Sequence, residues 1–150
     1  MKDTANFIRD DIKAMSAYRI ADLPEGFIKL YPNPAASGLQ ETLRKAFGIP
    51  EAAAIALGNG SDELIQFLTL LVAQLGATML AVEPSFVMYR HNAELYGMNY
   101  VGVPLNEDFT LDLPAVLSAI EKHQPALIFI AYPNNPTGVC FRREEVEAII

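Results

Sequence analysis

Three short stretches of this chain carry residue types and spacings suited to holding a small ligand. The first is Tyr132-Pro133-Asn134-Asn135-Pro136-Thr137-Gly138, where two prolines and a glycine force the backbone out of regular structure with two amides between them. Proline confines the residue before it to extended conformations, so Tyr132 and Asn135 are restricted and the Asn135 amide is held ready to donate. Asn, Pro and Gly also build ordinary tight turns, but the full string is stiffer than a connection requires. The second stretch is Gly58-Asn59-Gly60-Ser61, a glycine-rich turn that leads into a helix through Asp62-Glu63. Free backbone N–H groups and the helix dipole converge at such a point, making the amides of Ser61 and Asp62 a candidate anion cradle. It is not a dinucleotide fingerprint, because Glu63 stands where the third glycine belongs, and no Gly-Lys-Ser/Thr follows to make a nucleotide phosphate loop. The competing reading is a turn capped by Ser61, with the two acids complementing the dipole. The third stretch, Glu83-Pro84-Ser85-Phe86, sets an aromatic ring just past a strand end, where it either stacks on a ligand or packs into the core.

The elements that must position these turns follow from apolar patterning. Residues 126–131 form an unbroken apolar run ahead of the Asn135 turn, which predicts a central parallel strand covered on both faces. Further strands are predicted over 52–57, 78–82 and 99–105. A short amphipathic helix is predicted over 39–47, with Leu39, Leu43, Ala46 and Phe47 on one side and Gly48 and Pro50 closing it. A helix over 62–75 is apolar nearly all round, with only Gln66, Thr69 and Ala73 as a weakly polar stripe, so burial against a sheet is expected. Helices over 87–96, from Asp112 and Pro114 to Lys122, and from about Arg142 complete the set. Alternating strands and helices through 52–150 predict parallel βαβ units, that is, an α/β three-layer sandwich with a mostly parallel central sheet. Residues 1–30 read as an N-terminal helix and arm, with Phe7, Ile8, Ile12 and Met15 on one face, and 31–150 as the first part of a larger domain. The pattern from Arg143 to Ile150 reads as an unfinished helix without a C-terminal cap, so the domain is expected to continue beyond Ile150.

The Asn135-Pro136-Thr137-Gly138 string after an apolar strand resembles the signature of fold-type I pyridoxal-phosphate aminotransferases. With Tyr31-Pro32, Gly60-Ser61-Asp62-Glu63 and Glu83-Pro84-Ser85-Phe86 in the same order, the chain is most similar to the histidinol-phosphate aminotransferase family, over 31–150 and more loosely over 1–30. That resemblance implies a homodimer that uses pyridoxal 5'-phosphate to exchange an amino group between L-histidinol phosphate and 2-oxoglutarate, yielding glutamate. It assigns the cofactor phosphate to the backbone amides of Ser61 and Asp62, the pyridine ring to stacking by Phe86, and the phenolate to donation by Asn135. It further implies that the Tyr31 hydroxyl reaches the phosphate of the neighbouring subunit and that Tyr18 reaches substrate across the dimer. Two departures stand out: Phe86 replaces the tyrosine of many relatives, and an Asn-Glu-Asn-Pro-type stretch with a following helix is absent between Leu30 and Tyr31. No catalytic residue is assigned within the chain. Lys2, Lys13, Lys29, Lys45 and Lys122 lie in segments unlike the family's lysine motif, so the Schiff-base lysine, the aspartate for the pyridine nitrogen and the phosphate-binding arginine are expected beyond Ile150. An aromatic amino acid aminotransferase or a threonine-phosphate decarboxylase of the same superfamily would share the cofactor site. A non-catalytic regulator would keep the fold without turnover.

Composition narrows the remaining classes. A net charge of -7 argues against nucleic acid or an anionic membrane as the main partner. The single cysteine, Cys140, excludes an internal disulfide framework, and no stretch is long and apolar enough to span a bilayer. His91 and His123 stand more than thirty residues apart without acidic or cysteine companions at ligand spacing, so no metal site is expected. A cytoplasmic enzyme is the expectation.

Overall fold

The computed structural model describes residues 8–15 and 36–150. The rest of the N-terminal arm, including Tyr18 and Tyr31, lies outside the described residues. Helix α1 (Asp10–Lys13) opens on two acids and closes on Lys13, the arrangement the helix dipole favours. The Arg9 N–H donates to the Leu71 carbonyl at 3.1 Å and ties this turn to the main body.

Helix α2 (Ser37–Phe47) ends at Gly48, whose φ of +62° suits a residue without a Cβ. Helix α3 (Gly60–Val72) leads to strand β1 (Thr78–Glu83), followed by α4 (Met88–Leu95), β2 (Asn99–Pro104), α5 (Leu113–His123), β3 (Leu127–Phe129) and α6 (Arg143–Glu147). Helix α5 starts where Asp112 accepts the Ala115 N–H at 3.0 Å, with proline in its first turn.

The strands form a parallel sheet in the order β2-β1-β3. Strand β1 pairs with β2 from Thr78↔Asn99 to Glu83↔Pro104 and with β3 from Met79↔Leu127 to Ala81↔Phe129. Its apolar run Met79-Leu80-Ala81-Val82 has no exposed surface. Successive side chains point to opposite faces, so one core joins Met79 and Ala81 to Ile65, Tyr89 and Ala93 of α3 and α4. The other joins Leu80 and Val82 to Val103, Val116 and Phe141 on the α5 side. Helix layers thus flank the sheet on both sides, as a three-layer α/β sandwich requires.

Four expectations need correction. The run 126–131 does not supply the central strand: β1 is central, while β3 is three residues long, half-buried and at the sheet edge among the described residues. An apolar run satisfies either position, and only pairing on both sides distinguishes them. Residues 52–57 form no strand, because no neighbouring strand pairs with them and their side chains alternate between exposed and half-buried. Helix α3 faces the core with the stripe that reads as polar. Thr69 is fully buried and Gln66 half-buried, whereas Phe67 and Leu68 are 42% and 46% exposed. Thr69 avoids an orphaned hydroxyl by donating to the Ile65 carbonyl at 2.8 Å, and its small side chain permits close approach. Helix α2 leaves Leu39 and Phe47 exposed, so its apolar side is uncovered among the described residues.

Candidate functional site

Because the sheet is parallel, the turns after β1 and β3 leave it at the same, carboxyl end, where α/β sheets bind ligands. The peptide bonds before Pro84, Pro133 and Pro136 are cis. Among the described residues, one side chain hydrogen-bonds from one turn to the other. Asn134 is 2% exposed, and its Nδ2 donates to the Pro84 carbonyl at 3.0 Å and to Thr137 Oγ1 at 2.9 Å. Its own backbone closes the turn: the Asn134 N–H donates to Val139 O at 2.9 Å, and the Gly138 N–H donates to Asn134 O at 2.7 Å. Asn135 beside it is exposed, and no hydrogen bond from a described residue engages its side chain. The turn therefore turns one amide inward as a structural tie and leaves the other outward.

Phe86 is half-buried and packs edge-on against Tyr89, with ring centroids 5.7 Å apart. Tyr89 in turn stacks on Phe129 of β3 at 4.5 Å with the rings nearly parallel. Phe86 thus has one edge committed to the core and retains a partly open surface. Packing and ligand contact are compatible at this residue.

Ser61 and Asp62 lie in the first turn of α3, which the structure begins one residue earlier than Ser61. Asn59 occupies the cap position without a side-chain cap bond, so the reading in which Ser61 caps the helix is not what forms. Instead Glu63 curls back and accepts the Asn59 N–H at 2.5 Å. This turn faces α4 across a cleft of about 240 Å³ lined in part by Asn59, Asp62, Glu63, Met88 and His91. Helix α3 packs on α4, and the lining of this cleft includes no residue of the turns after β1 and β3.

The electrostatics concentrate at the end of β1. Glu83 Oε1 pairs with the Arg90 guanidinium at 2.6 Å, and that guanidinium lies 4.4 Å from the Tyr100 ring centroid. Burial, reinforced by the nearby Glu83 carboxylate, pushes the Tyr100 phenol up to about 12. Burial alone raises Tyr89. Glu83, Arg90 and Tyr100 border an apolar cleft of about 480 Å³ that also includes Ser85 and Phe86.

Sequence reasoning missed the separate tasks of the two asparagines and the Glu83–Arg90–Tyr100 set. The adjacency of Asn134 to Asn135 was visible, but nothing local distinguishes which of the pair turns inward. Among the described residues no group of His, Cys, Asp and Glu is placed to hold a metal ion, and no helix is long and apolar enough to cross a membrane. The described lysines lie on helices away from these turns: Lys13 pairs with Asp10, Lys45 with Glu41, and Lys122 sits exposed in the last turn of α5.

Comparison with known proteins gives these features a context. Residues 10–150 match the family model described as aminotransferase class I and II. The chain is 62% identical over 181 aligned positions to histidinol-phosphate aminotransferase of Neisseria meningitidis serogroup C, covering 100% of this chain and 50% of that protein. The aligned length exceeds the 150 residues here, so that relative carries residues without counterparts in this chain. The chain is 49% identical to the histidinol-phosphate aminotransferase of Chromobacterium violaceum over 170 positions, covering 95% of this chain and 48% of the other. It therefore spans about half the length of these curated relatives. Among solved structures, it superposes with a TM-score of 0.71 on histidinol-phosphate aminotransferase from Sinorhizobium meliloti in complex with pyridoxal-5'-phosphate. That match is at 28% identity and covers 79% of this chain and 32% of the other.

Proposed function

The chain belongs to the class I and II aminotransferase family, and from that premise we propose that the protein is a pyridoxal-phosphate-dependent transaminase of L-histidinol phosphate and 2-oxoglutarate. The observation that carries the substrate assignment is the 62% identity to a histidinol-phosphate aminotransferase across the whole chain. The proposed setting is cytoplasmic histidine biosynthesis, and the proposed assembly is a homodimer.

The residues present fit the cofactor. The first turn of α3 has N–H groups without a side-chain cap, which suits a phosphate dianion. The amide of Asn135 points to no described partner, and Phe86 keeps a partly open ring surface at the same end of the sheet. Buried Asn134 Oδ1 and Ser85 Oγ lack hydrogen-bond partners, so polar capacity remains at the junction of the two turns.

Bound pyridoxal phosphate would supply the electron sink that makes the proton on the amine-bearing carbon removable. This chain's residues would do the holding. The backbone N–H groups of Ser61 and Asp62 would bind the phosphate, with the α3 dipole favouring its charge. The Asn135 amide would donate to the phenolate oxygen and so favour its ionised form. Phe86 would stack on the ring and exclude water from one face, though without the hydroxyl a tyrosine would offer. Tyr31 of a second subunit would reach the phosphate, and Tyr18 the substrate. The base that moves the proton would be a lysine, and none of the described ones is assigned that role, since they sit on exposed helix surfaces.

The test is substrate profiling of the whole protein supplied with pyridoxal phosphate. Glutamate formation from 2-oxoglutarate should be fastest with L-histidinol phosphate. Preference for an aromatic amino acid, or carbon dioxide release from threonine phosphate, would replace the assignment with one of the two superfamily rivals. Absence of turnover with retained cofactor binding would favour a regulator.

A further inference from the structure

We propose that Asn134 is a positioning residue whose buried amide braces the turn carrying Phe86 against the turn carrying Asn135, so that ring and amide meet a ligand as one unit. The inference rests on the pyridoxal phosphate reading for the identity of that ligand, but the brace itself is a property of the chain.

The bonding pattern is what singles Asn134 out. Its Nδ2 has two hydrogens, and both are used: one on Pro84 O, 50 residues away in sequence, and one on Thr137 Oγ1 in its own turn. Both of its backbone polar groups are also engaged, with Val139 and Gly138. Asn134 is thus fixed within one turn and extends its side chain to the other. Pro84 leads through Ser85 to Phe86, while Asn134 is followed directly by Asn135. A second tie runs in parallel, from Phe86 through Tyr89 to Phe129 of β3, the strand that leads into the Asn134 turn. Ring stacking tolerates sliding in the ring plane, whereas a hydrogen bond fixes distance and direction. The ring stack therefore sets the spacing of the layers, and Asn134 sets the register of the two turns.

A joint that served only to fill space would be apolar. This one keeps Asn134 Oδ1 and Ser85 Oγ buried without partners, an arrangement that is unfavourable unless the orientation of the amide has a use. Asn134→Asp preserves the side-chain shape but sets a carboxylate against the Pro84 carbonyl, whereas Asn134→Ala removes the donor without adding charge, so the two together separate bracing from packing.

The experiment compares Asn134→Asp, Asn134→Ala, Phe86→Ala and the Asn134→Asp/Phe86→Ala pair in the whole protein, with Thr137→Val as a control. In the cofactor-free protein, amide exchange at Tyr89 and Gly138 should accelerate together in Asn134→Asp, by about tenfold or more because both hydrogen bonds from Nδ2 are lost, while β1 amides stay protected. Thr137→Val should loosen Gly138 alone. In the cofactor-bound protein, the pyridoxal phosphate dissociation constant should rise by about tenfold in Asn134→Asp, with the absorption band of the bound cofactor displaced as in Asn135→Ala. Adding Phe86→Ala should then raise it by less than Phe86→Ala does alone, because the two share one task. Exchange that accelerates only at Gly138, or dissociation effects that simply multiply, would overturn the brace. Should the unaltered protein bind no pyridoxal phosphate, the functional reading fails while the exchange arm still decides on Asn134.

Discussion

Gly102 is the position at which a single methyl group tests the electrostatics of this site. A Cβ at Gly102 would lie 2.4 Å from the Glu83 carboxyl carbon and 2.5 and 2.9 Å from its oxygens. To restore an ordinary carbon contact, the carboxylate must retreat by about 1 Å or more. From a starting N–O distance of 2.6 Å, a movement of that size directed away from Arg90 takes it out of hydrogen-bonding range. The terms in folding stability are small and opposed. Glu83 and Arg90 are 36% and 49% exposed, so their pair contributes about 1 kcal/mol or less after solvent screening. Loosening Arg90 from the Tyr100 ring removes about 0.5–1 kcal/mol more. Restricting the unfolded chain by replacing glycine returns about 0.4–1 kcal/mol. Gly102→Ala should therefore change stability by between a gain of about 0.5 and a loss of about 1.6 kcal/mol, which makes a denaturation midpoint a blunt readout. The Tyr100 phenol is the sharp one. It is pushed up to about 12 by burial first and by the charge and hydrogen bond of Glu83 next, with Arg90 opposing more weakly, so displacing the carboxylate should lower it while burial keeps it above its ordinary 10.0. The assay is alkaline titration of phenolate absorption, with Tyr100→Phe subtracted to isolate this group. The sign extends to stability: a phenol raised on folding stabilises the fold below the unfolded-state value near 10, and that contribution is lost as pH rises towards 12. A Tyr100 titration unchanged in both Gly102→Ala and Glu83→Gln would refute the claim that Glu83 acts on it.

Other expectations follow from single contacts. Asn135→Ala should weaken pyridoxal phosphate binding by about tenfold or more, as expected for a hydrogen bond to a charged oxygen, with little change in the melting of the cofactor-free protein because Asn135 is exposed. Leu80→Ala removes a fully buried side chain from the central strand and should cost about 2–5 kcal/mol in urea unfolding. Asp112→Ala deletes the cap on α5 and should cost about 1 kcal/mol. The Arg142 guanidinium holds Glu145 below the usual carboxylate range, and the same carboxylate accepts the Arg142 N–H at 3.3 Å. Its stabilisation is therefore present above the unfolded-state carboxylate value and is lost as pH falls through the lower folded one. Glu145→Gln should flatten that acid limb in a stability–pH curve.

What the sequence determined by itself was local. An apolar run from Met79 to Val82 made 78–82 a strand, Asp112 with Pro114 started α5, and Gly48 stopped α2, because each signal acts within a few residues of its effect. The four motifs and their order were equally legible, and they carried the family. Tertiary structure decided what depends on residues far apart. It made β1 rather than β3 the central strand and denied 52–57 a partner, since pairing is a property of two segments and not of one. It turned Thr69 inward and Phe67 outward on a helix whose nearly uniform hydrophobicity defined no inner face. It chose Asn134 over its neighbour as the buried tie, because the carbonyl that takes its amide belongs to Pro84, on another strand's turn.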